Sequence, residues 1–142
     1  MTNIGDRKTE LLAAAPLFAD VDADGLARIA ARTVEVEFSA GHVIARQGEI
    51  GTGFFLVVSG RVRVVRDGQE AASMGPGDFF GELSILDGKP RVAQVVATEP
   101  TVCLALASWD FEAVVTEQPA VALAVLRALA DRLRSMSESG HH

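Results

Sequence analysis

The residues best suited to bind an anion lie in one stretch of the chain, residues 79–97. Gly81 has no Cβ, so a ligand can approach its backbone closely, and the N–H groups that open the short apolar turn after it favour anions. Arg91 adds a permanent positive charge whose forked donors match phosphate oxygens. Glu82, when ionised, only accepts hydrogen bonds, so sugar hydroxyls are natural partners. These residues predict a clamp for a ligand carrying both a phosphate and a hydroxyl.

An alternative needs no ligand. Glu82 and Arg91 could form an internal salt bridge in a strand-turn-strand unit, because ion pairs are common and a glycine-rich corner in a β-domain serves turns and bulges. Taken as bare chemistry, the residue types leave both interpretations open.

The order of the residues resembles the phosphate-binding cassette of the cyclic nucleotide-binding domain family. That family's pattern is F-G-E-[LIM]-[AS]-L-L, a short polar turn, and P-R-[STA]-A-x-V; here residues 80–86 read FGELSIL and residues 90–95 read PRVAQV. The resemblance implies that Glu82 takes the ribose 2′-hydroxyl and Arg91 the cyclic phosphate. The amides of Gly81, Leu83 and Ser84 would take the remaining phosphate oxygens.

One position departs from that pattern. Many family members place Ser or Thr directly after the cassette arginine, where the hydroxyl bonds phosphate or helps to accept a syn guanine, and this chain has Val92. The loss of one neutral hydrogen bond costs about 0.5 to 1.5 kcal/mol. We therefore expect cyclic AMP (cAMP) to be favoured over cyclic GMP (cGMP), with no separate cofactor.

Arg132 is a further candidate ligand-binding residue. It lies on the last predicted helix, about where some bacterial members of the family place a basic side chain over the purine ring, and an arginine stacked on a base contributes about 0.5 to 2 kcal/mol. Alternatively, Arg127, Arg132 and Arg134 are a solvated helix end that complements the helix dipole.

Bulk properties narrow the function classes. The chain has 142 residues, of which 49% are hydrophobic, enough for one domain with a single core. Its net charge of −6 argues against direct nucleic-acid binding, which usually needs a basic face. No apolar run is long enough to span a membrane and the first residues lack a signal peptide's apolar centre, so we expect a cytoplasmic protein.

The sequence predicts neither a catalytic site nor a metal site. His42 has no second His or Cys nearby in sequence, so no metal site is predicted, and no Ser-His-Asp set can be composed, so we expect no enzyme. The lone Cys103 lies in an apolar run and is expected to be a buried small hydrophobe. We expect residues 1–140 to form a single domain, and His141 and His142 to be the remnant of a purification tag.

For the elements that must position these residues, the sequence predicts a mainly β fold with flanking helices. The N-terminus is helical over residues 6–32, with a break at Pro16 and a cap at Asp22 or Asp24. From Val34 the apolar period becomes two, and short strands follow between glycine corners over residues 33–107. The resemblance implies that these strands form an eight-stranded jelly roll, or double-stranded β-helix. The strands that the pattern places after Val34 are residues 43–45, 54–58, 61–65, 69–74, 92–97 and 101–106.

Two C-terminal helices are predicted over residues 108–136. Ser108 would cap the first helix and Pro119 would start the second, which is apolar on a broad surface. In the family this last helix closes over the nucleotide or meets its copy in a dimer, and both uses fit.

Two hypotheses follow. In the first, the chain is a sensor whose C-terminal lid helix moves on binding cyclic nucleotide and signals to an effector domain or partner that the sequence does not identify. In the second, the chain is a ligand-independent interaction or dimerisation module with a degenerate cassette.

Overall fold

A computed structural model describes residues 4–50 and 53–139 of the chain. The proposed tag residues, His141 and His142, lie outside this part. Helix α1 (Ile4–Ala14) ends before a 3-10 turn (Pro16–Phe18), and helix α2 (Ala23–Arg32) follows. The predicted cap is confirmed at Asp22, whose Oδ1 accepts a hydrogen bond from the Gly25 amide at 2.8 Å.

Within the described residues, eight antiparallel strands form two four-stranded sheets, which confirms the predicted eight-stranded β fold with flanking helices. The first sheet has the strand order β1-β8-β3-β6 and the second β2-β7-β4-β5. The strand bounds are β1 Val34–Phe38, β2 Val43–Ala45, β3 Gly53–Ser59, β4 Val62–Arg66, β5 Gln69–Met74, β6 Phe79–Phe80, β7 Gln94–Ala97 and β8 Thr101–Ala107.

Two strand predictions differ from the structure. The two-residue strand β6 was not recognised, because two apolar residues show no periodicity. The strand expected over residues 92–97 begins only at Gln94, where its ladder with β4 ends opposite Val65. Val92 and Ala93 are therefore left outside the sheet, beside the cassette.

The core has two layers because side chains alternate across the first sheet. Phe54 and Phe79 face the helices, and Phe54 stacks on Phe111 with ring centroids 4.7 Å apart. Phe55 and Phe80 face the space between the sheets, and their rings stack at 5.1 Å. The strand β6 thus contributes one phenylalanine to each layer.

Helix α3 (Glu82–Asp87) interrupts the strands, and helices α4 (Ser108–Glu117) and α5 (Pro119–Ser139) follow them. Ser108 is inside α4 and does not cap it, since the N-cap is Ala107 and no side chain bonds the first turn. Pro119 starts α5 as predicted. No single described helix has the length and apolar character to cross a membrane; α4 and α5 reach that length and composition only when they are counted together, across a bend of 110°.

Candidate functional site

The site is built where strand β6 turns into helix α3. Gly81 caps this helix with φ of 98°, a left-handed conformation that favours glycine. The backbone of Gly53, at the start of β3, packs directly on the α-carbon of Gly81. This contact places the first turn of α3 against the first sheet, and so positions Glu82 and Ser84, both buried.

The Glu82 carboxylate is bound by an arginine, but not by the one nine positions away. Arg132 donates from Nη1 to Glu82 Oε1 at 2.6 Å, whereas Glu82 and Arg91 form no ion pair within the described chain. The Glu82 side chain is only 3% exposed and that of Arg132 is 35% exposed. The internal salt bridge between Glu82 and Arg91, considered from the sequence, is therefore absent.

Arg132 makes two further contacts with the cassette. Its Nη2 donates to the carbonyl oxygen of Phe79 at 2.7 Å, and its guanidinium carbon lies 4.5 Å from the centre of the Phe79 ring. Val121 and Val125 are buried on the face of α5 that also carries Arg132, so packing of this helix sets the arginine's direction. Arg132 is thus bonded to the cassette and is not part of a solvated helix end.

Arg91 is tied to the start of β3 and to the loop before it. Its Nη2 donates to the Gly53 carbonyl at 3.3 Å, a long bond. Its backbone is held more firmly: the Arg91 amide donates to the Glu49 carbonyl at 2.7 Å, and the Gly48 amide donates to the Arg91 carbonyl at 2.8 Å. Arg91 is therefore fixed at its backbone while its guanidinium has only this weak side-chain bond in the described structure.

Burial perturbs both charged groups. Desolvation raises the pKa of Glu82, and the charge and hydrogen bond of Arg132, together with the charge of Arg91, oppose that rise. Desolvation lowers the pKa of Arg91, and the carboxylates of Glu49 and Glu82 oppose that change. A guanidinium stays protonated in proteins, so the site keeps two positive charges beside one buried carboxyl.

A cavity of about 120 Å³ lies between these groups. All seven residues singled out from the sequence line it: Gly81, Glu82, Leu83, Ser84, Arg91, Val92 and Arg132. Leu83 and Val92 are about half exposed at its mouth. The structure therefore brings the whole predicted set to one place; whether each residue touches a ligand stays a prediction.

Several residues of the site were not found from the sequence. Phe79 supports Arg132 through both its carbonyl and its ring, and Glu49 lies near Arg91 in the loop between β2 and β3. Most of the apolar wall comes from four separate strands, which only the sheet register brings together. The wall residues in strands are Val64, Met74, Phe80 and Val95, and Ala93, just before β7, completes the wall.

The arrangement can bind a small anion that also carries hydroxyl groups. Arg91 supplies charge-assisted donors, Glu82 supplies an acceptor, and the apolar wall suits a ring system.

Comparisons with known proteins agree with this chemistry. A model of the cyclic nucleotide-binding domain family matches residues 35–118. A CRP-like cAMP-activated global transcriptional regulator from Mycobacterium tuberculosis is 32% identical over 130 residues, which are 88% of this chain and 58% of the regulator. The chain thus spans less than two thirds of that relative's length.

Solved structures show the same architecture. The catabolite activator protein of Thermus thermophilus superposes with a TM-score of 0.80 at 36% identity, covering 88% of this chain and 61% of that protein. The regulatory subunit of a cAMP-independent protein kinase A from Trypanosoma brucei gives a TM-score of 0.82 at 26% identity, covering 96% of this chain and 50% of that protein. The scaffold therefore occurs in relatives described both as cAMP-activated and as cAMP-independent.

Proposed function

Because the chain belongs to the cyclic nucleotide-binding domain family, we propose that it is a sensor that binds cAMP in the cavity beside α3 and signals through α5. Arg91 would take the cyclic phosphate, together with the amides of Gly81, Leu83 and Ser84. Glu82 would accept the ribose 2′-hydroxyl. The effector would be another domain or protein, contacted by the moving helix.

One observation carries this proposal. Arg91 and Glu82 line the same cavity without pairing with each other. A salt bridge between them would satisfy both groups and leave no reason for a ligand. Instead the Arg91 guanidinium has a single long hydrogen bond in the described structure, so a phosphate offers it shorter, charge-assisted bonds.

The preference for cAMP over cGMP rests on Val92. This side chain is 51% exposed and lines the cavity, so it lies where a hydroxyl could reach a ligand. Valine offers a guanine no hydrogen bond at that position. The family resemblance relates that hydroxyl to guanine recognition, and its replacement supports cAMP as the favoured ligand.

Movement of α5 is supported by the way it is anchored at the cassette: among the described side chains of the helix, Arg132 alone forms hydrogen bonds with the cassette. Arg132 joins the helix to Glu82, the proposed ribose acceptor, and to Phe79, which lies three positions before it. A ligand that changes the Glu82 environment would change the strength of this anchor. Binding would then shift an equilibrium between helix positions by its differential affinity for them.

The test is calorimetric titration with cAMP, cGMP and 5′-AMP. We expect both cyclic nucleotides to bind, cAMP more tightly, and 5′-AMP to bind at least about tenfold more weakly. Arg91→Ala should weaken cAMP binding by about 100-fold or more, since it removes charge-assisted bonds of about 1.5 to 3 kcal/mol each. Arg63→Ala, at an exposed position of β4, is the matched control and should leave binding unchanged.

Equal binding in the wild type and in Arg91→Ala would contradict the proposal. Absence of binding by the wild type to all three nucleotides would favour the second candidate, a ligand-independent interaction module.

That second candidate is supported by the outer face of α5. Leu123, Leu126 and Leu133 are 46%, 62% and 65% exposed, and with Ala130 they follow the alternating three- and four-residue spacing of a coiled-coil seam. We propose that a second copy of the chain pairs along this seam. Leu126→Lys should convert a dimer to a monomer in sedimentation experiments; a wild type that is monomeric at high concentration would refute the pairing.

A further inference from the structure

A side-chain bridge joins the loop between β2 and β3 to the tip of the hairpin formed by β4 and β5. Gln47 Nε2 donates to Asp67 Oδ1 at 2.8 Å, and Gln47 Oε1 accepts the Asp67 backbone N–H at 3.0 Å. Both residues are exposed. Because one bond needs a donor and the other an acceptor, a carboxamide fits this position and neither an alkyl group nor a carboxylate can replace it.

The bridge lies where the cassette leaves the second sheet. Strand β4 pairs with β7 only as far as Gln94, and Arg91 forms backbone hydrogen bonds with the loop between β2 and β3. Val92 and Ala93, between these two points, lie outside the sheet and line the cavity. The hairpin tip extends past the end of the ladder with β7, and Gln47 connects it to the loop instead.

Gln47 is directly followed by the two residues that hold the backbone of Arg91. The Gly48 amide donates to the Arg91 carbonyl at 2.8 Å, and the Arg91 amide donates to the Glu49 carbonyl at 2.7 Å. The hairpin at the other end of the bridge contributes part of the apolar wall of the cavity. The bridge therefore connects the backbone support of the proposed phosphate-binding residue to a wall of the same cavity.

The hairpin end of the bridge has little conformational freedom. Among the described non-glycine residues, Asp67 alone has a positive φ, 52°, and together with Gly68, at 79°, it forms the two-residue turn between β4 and β5. A turn of this length fixes the register of the strands on both sides. Gln47 is thus bonded to a well-defined point of the sheet, so the contact restrains the loop.

We infer that Gln47 is a positioning residue: its bridge to Asp67 holds the loop that supports the Arg91 backbone, and so keeps Arg91 in place at the cavity before a ligand arrives. This inference rests on the proposed function and deepens it. The Arg91 guanidinium has only a long bond of its own, at 3.3 Å, so its placement depends on its backbone. Without the bridge, the loop occupies binding-competent arrangements for a smaller fraction of the time, and the apparent affinity falls by that fraction.

The first experiment measures cAMP affinity by calorimetry on the full chain. Gln47→Leu removes both hydrogen bonds and should weaken binding by about three- to tenfold. Gln47→Glu places a second carboxylate against Asp67 and should weaken it at least as much. Combining Gln47→Glu with Asp67→Asn should restore the affinity to within about twofold of the wild type, because carboxylate and amide then exchange places. Gln69→Leu, at an exposed position of the same hairpin, is the matched control and should leave binding unchanged.

A double-mutant cycle separates positioning of Arg91 from a general structural role. Arg91→Lys replaces the planar fork with a point charge on a flexible stem, whose contacts depend less on the exact place of the backbone. Gln47→Leu should therefore change the cAMP affinity by less than about twofold in the Arg91→Lys background. A residue that only stabilised the fold would weaken binding equally in both backgrounds.

If Gln47→Leu does not fold, or Arg91→Lys binds too weakly to measure, recovery of affinity in the combined Gln47→Glu and Asp67→Asn variant decides the question. Equal weakening in both backgrounds, no effect of Gln47→Leu, or no recovery in the combined variant overturns the inference, while cAMP binding by the wild type leaves the proposed function intact. A wild type that binds no cyclic nucleotide overturns the proposed function itself, so the two failures are distinguishable.

Discussion

The backbone carbonyl of Gly53 occupies the position at which a Cβ on Gly81 would lie. The distance would be far inside the 3.0 Å that real Cβ atoms respect. The same carbonyl accepts the hydrogen bond from Arg91. One backbone group therefore supports both the turn into α3 and the cation proposed to bind phosphate.

Gly81→Ala should destabilise the protein and distort the cassette. The left-handed φ costs an alanine about 1 to 2 kcal/mol, and the clash with backbone adds to it because Gly53 has no flexible side chain to move. We expect a lower free energy of unfolding in urea and weaker cAMP binding.

Gly88→Ala is the control for that variant. Gly88 also has a positive φ, 69°, but a Cβ there meets nothing within 4 Å. It should therefore show only the conformational cost. If the two variants lose equal stability, the contact between Gly53 and Gly81 does not constrain the cassette.

Glu82→Gln should change how stability depends on pH. Burial raises the pKa of Glu82 above its ordinary 4.5, although Arg132 opposes the rise. A raised pKa means that the folded chain holds this proton more tightly than the unfolded chain. The resulting contribution to stability is complete below pH 4.5 and is lost as the pH rises through the folded pKa.

Glutamine has no such proton, so the free energy of unfolding of Glu82→Gln minus that of the wild type should increase with pH over this interval and then level off. Urea unfolding between about pH 4 and pH 8 measures it. Glu112→Gln, on the exposed side of α4, provides the comparison. A difference that falls with rising pH would show that Arg132 outweighs burial.

Val92→Thr should shift the ligand preference toward cGMP. The new hydroxyl lies at the mouth of the cavity and can add one hydrogen bond, worth about 0.5 to 1.5 kcal/mol. The ratio of cGMP to cAMP affinity should rise by about two- to tenfold. Val92→Ala removes side-chain volume without adding a hydrogen-bond donor and should not raise the ratio of cGMP to cAMP affinity. If Val92→Ala raises that ratio, the larger cavity, and not the new hydroxyl, explains the change in preference.

Cys103 should be unreactive in the folded protein. Its side chain is fully buried between the sheets, and burial raises the pKa of the thiol to about 12. Both effects suppress the thiolate that attacks disulfide reagents. Labelling of Cys103 with a chromogenic disulfide should be fast in denaturant and slow in native buffer, where the rate of unfolding should limit the rate of labelling. Rapid labelling in native buffer would mean that the two sheets separate locally.

The strand pattern and the cassette could be predicted because they are local. Period-two alternation predicts strands directly, and glycines predict the turns between them. At the turn between β4 and β5, Asp67 and Gly68 both adopt a positive φ, as an Asp-Gly hairpin turn requires. The cassette carries its functional residues within one short stretch, so their order alone indicates the ligand chemistry. The two-residue strand β6 could not be predicted, because a strand is recognised by alternation over more than one period of two residues.

The partner of Glu82 could not be predicted in this way. Arg132 lies fifty positions away. The family resemblance singled it out as a residue over the purine ring, and nothing local indicated that it, rather than Arg127 or Arg134, pairs with Glu82. Its selection depends on the angle at which α5 leaves α4 and on the packing of Val121 and Val125, which rotate one arginine toward Phe79.

The amino-acid sequence by itself determined the β scaffold, the buried thiol and the identity of the two groups proposed to bind phosphate and ribose, because each is encoded by neighbouring residues. The tertiary structure alone decided that these two groups do not pair with each other, that Arg132 forms an ion pair with the carboxylate, and that the Gly53 carbonyl accepts a hydrogen bond from Arg91. Charge pairing depends on distance in space, and distances between remote segments are set by the packing of whole elements.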